Sequence, residues 1–246
     1  MTWSIVARDP ASGAFGVAIS TKFFAVGALC PHAMSGVGAL STQALVNPTF
    51  GPRGLRLLRE GVPAADAIAV LIAADAGRDH RQIHVVDAEG RTAQHTGAAC
   101  IGWCGHVAGE EFSVAGNMLA GSGVVADTAA VYRKRGDLAF AERLIAALEA
   151  GEAAGGDKRG KQSAALIVYS GEEYPEIDIR CDDHAEPIGE LRRLYYVAQE
   201  RFLIYRRFLP TARDPAGVYD RAVIEAAIAA EGRPPAPLPP TAKSGN

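Results

Sequence analysis

Two short apolar strands joined by a turn open this chain, and they fix where its second residue lies. Residues 5–7 are apolar, residues 16–20 are apolar up to the final Ser20, and residues 8–13 between them contain Asp, Pro and Gly, which are typical of turns. Together they predict a β-hairpin with Thr2 at its open end. Residues 38–44 are nearly continuous in small and apolar residues, which indicates a third strand covered on both faces.

The order of the later elements indicates the class of fold. Helical patterns follow at residues 52–61, after Pro63, at 124–134 and at 138–150, and further strands are predicted at 82–86, 91–96, 112–117, 163–169 and 177–181. Strands, then helices, then strands again, joined mostly by hairpins, predict an α+β layered domain rather than a doubly wound parallel sheet. This domain is expected to span residues 1–184.

Beyond residue 184 the pattern changes. Residues 187–209, rich in Arg, Tyr and Leu, predict a long helix, and residues 216–230 predict a shorter one, so residues 185–231 are expected to form a helical extension. The Pro-rich residues 232–246 are predicted to be disordered. The long helix is amphipathic, which favours self-association, and we expect a homodimer.

Composition excludes several classes of function. With 246 residues, the chain is long enough for one sizeable core. Its 48% hydrophobic and 22% charged residues are typical of a globular protein. A formal net charge of −3 leaves no basic surface for a phosphate backbone, so nucleic acid is not an expected partner. No apolar stretch reaches the length of a membrane span and the N-terminus has no signal-peptide pattern, so no membrane partner and a cytoplasmic location are expected.

Cysteine and histidine spacing gives no support for a metal site. The four cysteines are too few for a disulfide framework in a chain of this length. Cys100, Cys104 and His106 supply at most three ligands, with no second pair at a usable spacing, so small buried thiols are favoured. The Asp-Asp-His run at residues 182–184 is better explained as a polar strand end. We therefore predict neither a metal nor a cofactor.

Thr2 carries the strongest chemical signal in the chain. It directly follows the initiator Met, and a residue as small as Thr is expected to allow removal of that Met. A threonine with a free α-amine combines a nucleophile and a base, because this amine is much less basic than that of lysine and can accept the hydroxyl proton near neutral pH. The simpler explanation is that Met-Thr is a common way to begin a protein.

Polar residues at neighbouring strand ends are predicted to line the same site. Ser20 and Lys22 close the second strand of the first hairpin, and a lysine beside Thr2 would favour loss of the hydroxyl proton. The alternative is an exposed lysine at a strand end. Gln43 and Asn47 end the third strand and are expected at the mouth of the site.

Two glycine-rich segments add further candidates. Asn117 lies between a predicted strand and a helix, where its side-chain amide or adjacent backbone N–H groups would stabilise an oxyanion. An asparagine in an ordinary turn is the alternative. Asp157, Arg159 and Gln162 lie in a loop that enters a core strand, where side chains are held rigidly enough to bind substrate. A solvated charged loop is the alternative there.

Taken together, these motifs resemble the domain of unknown function family 1028, a family associated with the N-terminal-nucleophile (Ntn) hydrolases. The resemblance covers residues 2 to about 184 and rests on several short motifs, at residues 2–7, 22–27, 42–44, 47–48, 51–54, 116–121 and 155–164. It implies a four-layer αββα sandwich of two mainly antiparallel sheets with helices on both outer faces. It also implies a nucleophile at Thr2 that attacks an amide carbonyl and forms an acyl-enzyme, with Lys22 as the nearby cation.

Two functions follow as hypotheses. The first is an Ntn-type amidohydrolase that cleaves a small amide or lactam, with Thr2, Lys22 and Asn117 as catalytic residues. Its substrate-binding residues are predicted to be Ser20, Gln43, Asn47, Asp157, Arg159 and Gln162. The second is a catalytically silent protein of the same fold that binds a small molecule or another protein. A third hypothesis, intermediate between these two, is a metal-dependent hydrolase that uses His184 and its neighbouring carboxylates.

Overall fold

The computed structural model describes residues 2–232, and within them the chain forms ten strands and seven α-helices. The strands are β1 Thr2–Arg8, β2 Phe15–Thr21, β3 Pro31–Met34, β4 Gly38–Ala44, β5 Arg81–Asp87, β6 Thr92–Thr96, β7 Trp103–Gly109, β8 Phe112–Leu119, β9 Ser163–Tyr169 and β10 Ile177–Cys181. The helices are α1 Phe50–Arg59, α2 Ala64–Ala73, α3 Gly123–Lys134, α4 Phe140–Ala153, α5 Pro187–Glu200, α6 Phe202–Tyr205 and α7 Arg221–Glu231. The predicted α+β class is confirmed.

The larger sheet has β1 in its interior. Its strand order is β10-β9-β2-β1-β8-β7, and every pairing is antiparallel. The predicted hairpin of β1 and β2 is present, with Thr2 opposite Thr21, and on the other side Thr2 is opposite Asn117 of β8. The end of a central strand is thus flanked on both sides by polar residues whose side chains share its face.

The smaller sheet has the order β3-β4-β5-β6 and is also antiparallel. Two of the ten strands, β3 and β7, were not predicted from the sequence. Both are edge strands: β3 begins with Pro31, and β7 is partly exposed and contains a register shift between Trp103 and Gly105. Short or glycine-containing edge strands lack the apolar alternation that marks a strand in a sequence.

Side chains of β1 alternate between two environments. Trp3 and its face of the larger sheet pack against α3 and α4, and a Cβ added at Gly151 of α4 would lie 2.6 Å from Trp3 Nε1. The opposite face of the larger sheet packs on the smaller sheet, whose outer face is covered by α1 and α2. At the end of β1 remote from Thr2 this sheet interface is apolar, with Val6 packed among buried side chains of both sheets.

The described residues divide into two compact units, with the boundary between Leu191 and Arg192. The predicted helix at 187–209 is interrupted: α5 ends at Glu200, Arg201 has a non-helical backbone, and α6 follows. No glycine or proline marks this break, whereas the Arg201 guanidinium pairs with Glu225 of α7. The shorter helix begins at Arg221 because Asp220 caps it, accepting a hydrogen bond from the Ala222 N–H.

The predicted disordered tail at residues 232–246 lies, beyond Gly232, outside the described residues. Among the described residues, no helix is both long and apolar enough to cross a membrane.

Candidate functional site

A cavity of about 400 Å³ lies at the Thr2 end of β1. Thr2 is 8% exposed and lines this cavity, and its Oγ1 lies 3.1 Å from Thr21 Oγ1. Gln43 and Asn117 also line the cavity, so a hydroxyl group and two side-chain amides meet at the polar end of the sheet interface. The volume is within the range of small-molecule sites.

Backbone strain is concentrated around the cavity. Four non-glycine residues among those described have a positive φ, and three of them line the cavity: Ala25 at 51°, Ala44 at 69° and Met118 at 55°. The fourth, Glu111, lies in the turn between β7 and β8. Residues other than glycine adopt this conformation at an energetic cost, and such positions cluster at functional sites. This cluster is independent support for a site at the cavity.

A buried chain of side-chain amides holds Asn117. Asn117 Nδ2 donates to Gln82 Oε1 at 3.0 Å, and Gln43 Nε2 donates to the same oxygen at 2.8 Å. Gln82 Nε2 in turn lies within 2.9 Å of the Gly116 carbonyl oxygen and within 3.0 Å of Thr96 Oγ1. All three amide side chains are at most 1% exposed, so their donors and acceptors are fixed by one another.

The amide chain continues into His84 through a serine. Ser4 Oγ donates to Gln43 Oε1 at 2.7 Å and lies 2.8 Å from His84 Nε2. Because the single Ser4 proton is used by Gln43, Ser4 accepts from His84 Nε2–H. His84 Nδ1, 3.2 Å from Ser113 Oγ, is then the acceptor for the Ser113 hydroxyl. His84 is therefore a neutral imidazole with a defined tautomer.

Burial lowers the pKa of His84 to about 3, with a further contribution from the positive charge of His106. An unfolded His has a pKa near 6.5, so between these values the unfolded state binds more protons and the free energy of unfolding falls as pH decreases. We expect this loss to approach about 1.4 kcal/mol per pH unit below pH 6.

Urea unfolding of the wild-type protein and of His84→Gln between pH 7 and pH 5 measures this effect. The variant is expected to be less stable but to show a shallower dependence on pH. His32→Gln is the matched control, because desolvation also lowers the pKa of the partly buried His32, which has no hydrogen bond to Ser4, Gln43 or Gln82. An equally steep dependence in His84→Gln would contradict the assignment.

The structure brings four of the sequence-predicted residues to the cavity, namely Thr2, Gln43, Asn117 and Arg159. Arg159 is held by Asp157, whose carboxylate also accepts a hydrogen bond from the Lys22 backbone N–H at 2.8 Å. The Asp157 side chain is only 1% exposed and does not line the cavity. Asp157 thus orients a cavity residue rather than contacting the cavity itself.

The other predicted residues have separate hydrogen-bond partners away from the cavity. Lys22 Nζ donates to the Lys161 carbonyl oxygen at 3.1 Å, and Ser20 Oγ donates to the Ser163 carbonyl oxygen at 3.3 Å. Gln162 Nε2 donates to Asp183 Oδ1 at 3.1 Å. Asn47 accepts from the Thr49 N–H at the start of α1 and donates to Asp75.

The residues considered as metal ligands serve local structure. His184 Nδ1 accepts a hydrogen bond from the Glu186 N–H just before α5, and Asp183 binds Gln162. Cys104 lies against the Cys100 carbonyl oxygen, and the four thiols are free. Within residues 2–232, no three His, Cys, Asp or Glu side chains are grouped so as to hold a metal ion.

Sequence reasoning missed Thr21 as the partner of Thr2, and Gln82 and His84 as parts of the buried chain. The signal for Thr21 was the hairpin register, which places it opposite Thr2. Gln82 and His84 alternate with apolar residues in β5, and this alternation indicates two faces. It does not reveal that the polar face is turned into the sheet interface.

Fold and cavity together define an α+β protein with a small-molecule-sized site at one end of a two-sheet interface. The chain belongs to the family of unknown function DUF1028, whose model matches residues 2–191. It is similar to the crystal structure of protein SPO2555 from Silicibacter pomeroyi, assigned to the same family model, with 32% sequence identity and a TM-score of 0.82. That match covers 89% of this chain and 99% of the other. No match was found among functionally curated proteins.

Proposed function

We propose that this protein is an Ntn-type amidohydrolase that cleaves a small amide through Thr2. The observation that carries the proposal is the placement of the Thr2 hydroxyl, which lines a cavity at the end of a central strand, 3.1 Å from a second hydroxyl. The helices packed on the outer face of each sheet support a four-layer αββα sandwich of the Ntn type. Family membership adds no activity of its own.

The chemistry requires that Met1 be removed, since only then does Thr2 have a free amine. That amine takes the Thr2 hydroxyl proton while Oγ1 attacks the amide carbonyl carbon, which gives a tetrahedral intermediate. The intermediate collapses as the protonated amine gives its proton to the leaving nitrogen, and an ester to Thr2 remains. Water, deprotonated by the same amine, then cleaves this ester and restores the hydroxyl.

Asn117 is the proposed donor to the oxyanion. One N–H of its Nδ2 donates to Gln82, and the second N–H of the same group is the one assigned to the substrate oxygen. Thr21 has a separate role, because its hydroxyl hydrogen-bonds Thr2 Oγ1 and so restricts the rotamer of the nucleophile. Both partners face the cavity from the strands that flank β1.

Lys22 and Arg159 are both candidates for the cation near Thr2, a role that the sequence analysis gave to Lys22. Arg159 lines the cavity, whereas Lys22 Nζ is bonded to the Lys161 carbonyl oxygen. We therefore expect Lys22→Met to lower kcat/KM less than tenfold, because the Lys22 ammonium is hydrogen-bonded to Lys161 and Lys22 is not among the residues that line the cavity. Steady-state kinetics on the Met-processed protein test this, with Lys134→Met as a surface control. A loss above a hundredfold would restore the catalytic role predicted for Lys22.

N-terminal processing tests the proposal most directly. Intact-mass measurement of protein made in cells is expected to show removal of Met1, and incubation with a hydroxyl-directed electrophile is expected to add one label at Thr2. Retention of Met1 in essentially all molecules would end the hydrolase assignment.

The exposed apolar rim of the cavity favours a second function, that of a catalytically silent binding protein. Phe23, Phe24, Leu45 and Ile101 line the cavity and are each more than 60% exposed, which is typical of a surface that binds a ligand or partner. A catalytically silent binding protein would leave Met-processed Thr2 unlabelled, and its ligand affinity would be unchanged in Thr2→Ala.

The homodimer expected from the helical extension is likewise a proposal. Light scattering is expected to give about twice the 25.8 kDa of one chain. A single species with the mass of one chain would refute the homodimer.

A further inference from the structure

The cavity around Thr2 combines two chemical environments. Most of its wall is apolar and comes from loops that follow β2, β4 and β6, together with Met118; its largest apolar side chains are Phe23, Phe24, Leu29, Leu45, Ile101 and Met118. Its two thiols are neutral at pH 7, because burial raises the pKa of Cys30 to about 12 and also raises that of Cys100. No Asp or Glu is among its lining residues, all of which are described.

Among the described residues that line the cavity, Arg159 is the one whose side chain has a permanent charge. Its guanidinium is paired with Asp157, with Nη2 3.0 Å from Oδ2 and Nε 3.3 Å from Oδ1. The Asp157 side chain is 1% exposed, whereas that of Arg159 is 39% exposed. The Arg159 side chain is therefore accessible to a ligand, whereas its carboxylate partner is buried.

This arrangement suits recognition of a carboxylate. A guanidinium has five N–H donors in one plane, and it binds carboxylates through parallel hydrogen bonds that an ammonium group does not provide. Asp157 accepts two of those donors and also the backbone N–H of Arg159 at 2.8 Å, so the plane of the guanidinium is fixed before a ligand arrives. Because the ion pair is neutral overall, its attraction for an anion is short-range.

We infer that the cavity binds small amides that join an apolar acyl group to an amine bearing a carboxylate, the simplest being N-acyl amino acids. The apolar wall contacts the acyl group, the Arg159 guanidinium donates hydrogen bonds to the carboxylate, and the amide carbonyl lies between them at Thr2 and Asn117. Cleavage of this substrate rests on the proposed hydrolase function, whereas its binding does not.

Calorimetric binding to Met-processed Thr2→Ala protein separates recognition from cleavage. The probes are N-phenylacetylglycine and its neutral analogue N-phenylacetylglycinamide, which differ only in the carboxylate. The acid is expected to bind about tenfold more tightly, and Arg159→Gln is expected to abolish this preference, with Arg159→Lys retaining part of it. Arg135→Gln is the matched control, because Arg135 forms a comparable ion pair with Asp137 on the surface.

The outcomes distinguish this inference from the proposed hydrolase. Equal binding of both probes, no binding of either, or a preference that persists in Arg159→Gln would overturn the inference even if Thr2 is labelled and amides are cleaved. A preference that depends on Arg159, in a protein whose wild-type form hydrolyses neither probe nor any other amide, would support the inference and overturn the hydrolase. If Arg159→Gln does not fold, Arg159→Lys and the salt dependence of acid binding decide the question.

Discussion

Met-processed Thr2→Ala protein is expected to lose amide hydrolysis by about 10³-fold or more, and to lose all covalent labelling. The hydroxyl is the group that forms the ester intermediate, and removal of a nucleophile in other hydrolases has effects of this size. Thr2→Ser keeps an Oγ at the same position on β1 and is expected to retain measurable activity. Ala and Ser are both small, so removal of Met1 is expected in both variants, and mass spectrometry verifies it.

The free amine of Thr2 needs its own control. A protein with a cleavable extension fused in front of Thr2 keeps the Thr2 hydroxyl. Its Thr2 nitrogen is part of an amide, however, and cannot act as a base. The extended protein is expected to be as inactive as Thr2→Ala, and proteolytic removal of the extension is expected to restore activity. Full activity in the extended protein, or in Thr2→Ala, would contradict the proposed mechanism.

The fold was predictable where the strands and helices have strong patterns. β1, β2 and β4 were predicted from apolar runs and turn residues, and these strands place Thr2 and Gln43 correctly at strand ends. The edge strands β3 and β7 were not predictable, because their pairing depends on neighbours far away in the sequence rather than on their own composition. The break at Arg201 is likewise unmarked in the local sequence, and there Arg201 forms an ion pair with Glu225, which is distant along the chain.

The site was predictable only in part, because strand ends indicate where residues lie and not which way side chains are turned. The hairpin register pairs Thr2 with Thr21, so Lys22 follows the partner of Thr2 directly. Side chains alternate along a strand, however, and the Lys22 ammonium donates to the Lys161 carbonyl oxygen instead. Arg159 reaches the cavity because the loop before β9 is anchored by Asp157, which bridges to Leu119 of β8. Nothing local in the sequence encodes that anchor.

Gln82→Leu is expected to be the most damaging change away from Thr2, in both stability and activity. Leucine has a similar volume but leaves several buried groups without a partner at once, including one N–H each of Gln43 and Asn117. Each such group costs about 1–3 kcal/mol when left without a partner, so we expect a loss of about 3 kcal/mol or more in the free energy of unfolding. Urea unfolding at pH 7 measures it.

Gln94→Leu is the matched control, because the same substitution on the neighbouring strand β6 should have the opposite effect. Gln94 Nε2 is buried without a hydrogen-bond partner, so replacing it removes an unsatisfied group and is expected to leave stability unchanged or slightly higher. Kinetics then separate structure from positioning: freed from Gln82, Asn117 is expected to lose its orientation and kcat to fall about tenfold, with KM nearly constant. A Gln82→Leu protein that unfolds like Gln94→Leu and keeps full kcat would show that the amide chain neither stabilises the sheet interface nor holds Asn117 for the oxyanion.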